Sequence, residues 1–118
     1  MTATDEIKFH FITWAIKERF AVADARKGQV LQPQFLPRAM GLAEIKQELR
    51  PSVVMADDIL ATIESDLFSQ NRGAGGIFFL EDRVAHVFFC NGGWVVNGEY
   101  TVESSTDWCK GSRVFSRK

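Results

Sequence analysis

Residues 77–104, IFFLEDRVAHVFFCNGGWVVNGEYTVES, decide how the chain folds. Three polar or glycine-rich breaks interrupt them: Glu81-Asp82, Asn91-Gly92-Gly93 and Asn97-Gly98. Asn-Gly between apolar runs is a strong hairpin signal, because the tight turn it makes needs positive φ at both central residues. The stretch therefore reads as an antiparallel meander of short strands, 77–80, 84–90, 94–96 and 99–104. In the first two runs both faces are apolar. Ile77 and Phe79 oppose Phe78 and Leu80, and Val84, His86, Phe88 and Cys90 oppose Ala85, Val87 and Phe89. A half-solvated antiparallel sheet alternates apolar with polar residues. This one does not, so something must cover each face.

The sequence before the sheet reads as three helices. The first runs about 5–23, with Thr4 as N-cap and Asp5 and Glu6 in the first turn, where the helix dipole favours acids. It carries two apolar stripes, Phe9-Ile12-Ile16-Phe20 and Ile7-Phe11-Trp14-Val22. One stripe suffices for lying on a sheet, so Ile7, Phe11 and Trp14 are candidates for contact with a partner. The second helix runs about 38–49, opened by Pro37 and stopped by Pro51, with Gly41 as a weak point. The third runs about 53–69 with Ser52 as cap, and its Asp57, Asp58 and Glu64 form an acidic face on which a basic partner could dock. Residues 24–36 are loop, with a short edge strand near Gln29–Gln32 as one option. Trp108, Val114 and Phe115 make a last short strand or a packed tail. The expected architecture is a single α+β domain over 1–118, with three N-terminal helices packed on a C-terminal antiparallel meander of four to five strands.

Composition sets the class. At 118 residues, with 46% hydrophobic and 25% charged side chains, the chain matches an ordinary globular domain. No apolar run reaches the roughly 20 residues of a membrane span. The N-terminus has no basic-then-apolar secretory pattern, so the expected compartment is the cytoplasm. There, Cys90 and Cys109 are expected to be reduced. The net charge is −1, but residues 57–107 hold nine acidic and two basic side chains, whereas residues 108–118 hold four basic and none acidic.

No motif assembles a catalytic set. Gly73-Ala74-Gly75-Gly76 follows a helix and precedes a strand, the reverse of a phosphate-binding loop. His86 and Cys90 share a strand face but stand about 13 Å apart, too far for one zinc ion. No cofactor and no metal is expected. The order helix, short strand, helix, helix, hairpin loosely fits a winged helix. However, helix 53–69 lacks Arg, Lys, Asn and Gln and carries four carboxylates, so nucleic acid is an unfavourable partner. The expected function is a small non-enzymatic module that docks onto a protein partner, as an adaptor, chaperone-like protein or inhibitor, with a homodimer as one form of docking. The alternative is a small-ligand binder or enzyme in which His86, Trp94 and Tyr100 line a cup between sheet and helices.

Overall fold

A computed structural model describes Ile16 and residues 24–67, 76–90, 93–103 and 106–117, with the backbone alone at 66–67, 89–90, 93–94 and 98–99. The elements are a 3-10 turn, Ala25–Lys27, followed by β1, Gln32–Phe35; β2, Met40–Gly41; α1, Leu42–Glu48; and α2, Ala56–Leu67. Then come β3, Gly76–Phe79; β4, Val84–Cys90; β5, Gly93–Tyr100; β6, Asp107–Trp108; and β7, Arg113–Ser116.

The sheet is mixed, not an antiparallel meander. Five strands lie in the order β1-β7-β3-β4-β5, and β7 runs parallel to β3, with Ile77 opposite Val114 and Phe78 opposite Phe115. A second sheet pairs β2 with β6, Met40 opposite Trp108. Of the two options for the last segment, a short strand or a packed tail, the strand is the one observed, and it lies inside the sheet between β1 and β3. Val114 and Phe115 are buried on opposite faces, a position that no edge or tail can offer. Four residues with basic neighbours carry no strand periodicity, so this placement is invisible in sequence.

Two of the expected turns connect strands. β3 and β4 are antiparallel around Glu81-Asp82, with the Leu80 amide donating to the Arg83 carbonyl at 2.8 Å. β4 and β5 are antiparallel, Cys90 opposite Gly93, which leaves two residues between them. Asn97-Gly98 is not a turn. It lies inside β5, where Val84 pairs with Tyr100 and His86 with Asn97. Three steps on β5 oppose two on β4, so the extra residue is absorbed as a bulge, a role to which glycine is suited.

Two α-helices are present among the described residues, not three. The expected helix 5–23 lies outside them except for Ile16, which is helical and fully buried. α1 starts four residues later than expected, because Met40 and Gly41 are taken into β2. Gly41 then serves as N-cap, its amide donating to Glu44 Oε1 at 3.3 Å. The helix ends at Leu49, and Arg50 takes the left-handed position (φ 49°) before Pro51. α2 starts at Ala56, not 53. Asp58, its third residue, reaches back to accept the Met55 amide at 2.9 Å, the acidic half of a capping box. Ser52, the expected cap, instead receives the Arg117 amide on its hydroxyl and donates its own amide to Ser116 Oγ, both at 2.8 Å.

The helices lie on opposite faces of the sheet. α2 covers the first face, where Ile59, Leu60 and Ile63 meet Phe78, Ala85, Val87 and Phe115. α1 and the β2–β6 pair cover the second, where Met40, Leu42, Ile45 and Trp108 meet Ile77, Phe79, Val84 and Val114. The two-sided greasiness of β3 and β4 is thereby satisfied from within the chain. β3 and β4 are central strands, not the wing of a winged helix. β1 is the exposed edge. Its Pro33 has no amide to offer an incoming strand, which blunts that edge.

Candidate functional site

The acidic residues of α2 turn inward. Asp57 and Asp58 are buried, and Thr62 with them. Asp57 Oδ1 accepts the Asp24 amide at 2.8 Å, Asp58 Oδ1 the Gln29 amide at 2.9 Å, and Thr62 Oγ1 the Leu31 amide at 2.8 Å. Segment 24–31 is nearly without regular structure, and its amides need acceptors once covered. α2 supplies them. Gly28 lies so close to this helix that a Cβ there would come within 1.9 Å of the Asp57 carbonyl oxygen. Asp58 Oδ2 also accepts two bonds from the Arg117 guanidinium, at 2.8 and 3.2 Å. Burial raises the Asp58 pKa, but the Gln29 and Met55 amides and Arg117 outweigh it and hold the carboxyl below its ordinary value. Neither aspartate offers a docking charge to solvent, and Glu64, nearly two turns further along α2, is half-buried. Ile7, Phe11 and Trp14 lie outside the described residues.

The second set of candidates is only partly assembled. His86 stacks on Phe88 at 4.7 Å and meets Trp108 edge-on at 4.6 Å, and Trp108 meets Tyr100 edge-on at 5.3 Å. Asn97 Nδ2 donates to the Tyr100 hydroxyl at 3.1 Å. His86 and Tyr100 thus share one aromatic cluster around Trp108, while the Trp94 side chain lies outside the described residues. Burial lowers the His86 pKa from 6.5 to about 4, so the imidazole is neutral at pH 7. It makes no hydrogen bond among the described residues. A general base needs a proton partner within reach and a group that orients it, and neither is present there. No group of three potential metal ligands occurs among the described residues.

The cleft is elsewhere. It measures about 260 Å³ and opens between α1, the β3–β4 turn and residues 101–103. Phe79, Leu80, Val84 and Val102 supply the apolar part of its lining, and Lys46, Glu81, Asp82, Thr101 and Glu103 supply polar and charged groups. Arg83 also lines it and is paired with Asp82 at 3.3 Å. His86 and Tyr100 do not line it.

Val53 forms one wall of this cleft. The segment 51–55 is extended. Its Val54 is buried and donates its amide to the Phe79 carbonyl at 2.8 Å, which turns Val53 and Met55 outward. They are 55% and 56% exposed, and Val30 is 54% exposed. The Gln29 and Met55 amides bind the two oxygens of one carboxylate, so Val30 and Met55 flank Asp58. Val53 therefore opens onto the cleft, the exposed Met55 follows it two residues on, and the exposed Val30 adjoins Gln29, whose amide shares the Asp58 carboxylate with that of Met55. Sequence reading missed this arrangement because Val53-Val54-Met55 fits a helix start.

No family model matches the chain, and neither a curated protein nor a solved structure matches it. Among the described residues no helix is long and apolar enough to cross a membrane.

Proposed function

We propose that the protein is a small docking module. It binds a partner protein along Val30, Met55 and Val53 and seats an apolar side chain of that partner in the adjoining cleft. The observation that carries this reading is the exposed Val53 in the wall of a cleft of about 260 Å³ with a part-apolar, part-charged lining, with the exposed Met55 two residues along the same segment. That volume lies just below the roughly 300–1,000 Å³ of typical small-molecule sites. It suits one or two side chains better than a cofactor. Full burial of a valine or methionine is worth about 1.5–3 kcal/mol, whereas an exposed ion pair is worth about 0–1 kcal/mol. The apolar side chains would therefore set the affinity and the charged rim would set the choice of partner.

The ligand-binding or enzymatic reading has less support, because His86 lies outside the cleft and has no proton partner among the described residues. Nucleic-acid binding through the basic tail has less support too. Arg113 is buried with its guanidinium 5.0 Å from the Phe115 ring, and Arg117 is committed to Asp58.

A photo-crosslinking residue at position 53 or 55, compared with exposed position 47 on α1, tests the reading. Adducts to a defined protein from 53 and 55, absent from 47 and removed by Val30→Asp, are expected. Equal yields at all three positions would contradict it.

A further inference from the structure

The rim of the cleft bears on what enters it. Glu81 sits on the β3–β4 turn, Glu103 on the loop after β5 and Lys46 on α1, all exposed. None of the three has an ion-pair partner among the described residues, unlike Asp82, which is held by Arg83. Two carboxylates and one ammonium without an ion-pair partner among the described residues thus line the same cleft. The lining is apolar in part, through Phe79, Leu80, Val84 and Val102, and three carboxylates against two cations leave its charge negative. The other strong acids of this part of the chain are not available to a ligand, since Asp57 and Asp58 are spent on internal amides and Arg117.

Resting on the docking reading above, we infer that the occupant is a peptide segment with an apolar anchor flanked by Lys or Arg. The anchor enters between Phe79, Leu80 and Val102, and the flanking cations meet Glu81 and Glu103. An acidic flank would meet two carboxylates and gain only Lys46. Rim charges act mainly on partner choice and association rate, so the preference is for a class of segment, not for one residue.

The test uses fluorescence polarisation with three labelled hexapeptides: KRLFRK, its acidic twin EDLFDE and its apolar-free twin KRSGRK. KRLFRK is expected to bind at least about tenfold more tightly than either twin, with an affinity that falls as salt rises. Glu81→Gln and Glu103→Gln should each weaken it about two- to fivefold, and Lys46→Gln should tighten it by a similar factor. Glu64→Gln, on the helix that covers the other face, should leave it unchanged.

Binding of EDLFDE as tight as that of KRLFRK would overturn the basic-flank inference and leave the docking reading standing. Equal binding of KRSGRK, or equal weakening by Glu64→Gln, would mean diffuse attraction to an acidic surface and would overturn it as well. If neither apolar peptide binds and position 53 crosslinks only to a second copy of this chain, the occupant is the protein itself and the basic-flank inference falls. If neither binds and position 53 gives no adduct, the docking reading falls with it.

Discussion

Arg117 Nη2 lies 2.8 Å from Asp58 Oδ2, and this contact ties the end of the chain to the first turn of α2. It joins the two regions that look most solvated in sequence, the acidic helix face and the basic tail. Each is the other's partner. Asp58 also holds the amides of Gln29 and Met55, so one buried carboxylate fixes the approach of three segments.

Removing the carboxylate should cost far more than removing the cation. Asp58→Ala strands two covered amides and an arginine, and a loss of about 3 kcal/mol or more is expected. Arg117 is partly exposed, so Arg117→Ala should cost about 1 kcal/mol. Urea unfolding of both variants checks this, and equal losses would mean that the guanidinium, not the backbone, is the main partner. Because the carboxyl is held below its ordinary 3.8, its contribution should be complete above about pH 4 and lost as the pH falls further.

His86 governs a different window. Its pKa in the fold is about 4 against 6.5 for the free side chain, so between those values the unfolded chain takes up a proton that the folded chain refuses. Stability should be greatest above pH 6.5 and decline towards pH 4, by up to about 3 kcal/mol. His86→Phe keeps an aromatic ring beside Phe88 and Trp108 and should flatten this decline, as read from thermal unfolding at pH 7, 5.5 and 4.5.

Trp108 is buried, and its indole N–H has no hydrogen-bond partner among the described residues. An unmade bond cannot be lost, so Trp108→Phe should cost no more than about 1–2 kcal/mol, whereas Trp108→Ala should cost about 3–5 kcal/mol. A phenylalanine variant as damaged as the alanine variant would show that the N–H has an acceptor after all.

Gly28→Ala would drive a methyl group into the Asp57 carbonyl. Because the obstacle is helix backbone, not a movable side chain, a destabilisation of about 2 kcal/mol or more is expected. Calorimetry of this single variant tests whether segment 24–31 packs against α2 as described.

The legible part of the fold was the local part. The break at Asn91-Gly92-Gly93 marked the β4–β5 hairpin, although Gly93 itself belongs to β5, and strict alternation assigned Val84 and Val87 to the opposite faces they occupy. What joins distant segments was not legible. β7 pairs with β1 and β3 across the whole chain, and nothing in Arg113-Val114-Phe115-Ser116 announces it. The polar face of α2 looked like a docking surface because its partners are backbone amides, which are the same in every sequence. The cleft takes Lys46, Val53, Leu80 and Val102 from four separate segments, so no local pattern could mark it.

The central claim is that Val53 and its cleft, not exposed apolar surface in general, receive a partner. Phe35 is an internal control. It is 61% exposed on β1 and lies opposite Arg113, away from the cleft. The affinity of the KRLFRK peptide should be measured for the wild type, Val53→Asp and Phe35→Asp. A drop of about tenfold or more for Val53→Asp with no change for Phe35→Asp is expected. Equal losses in the two variants, or a loss confined to Phe35→Asp, would contradict the claim.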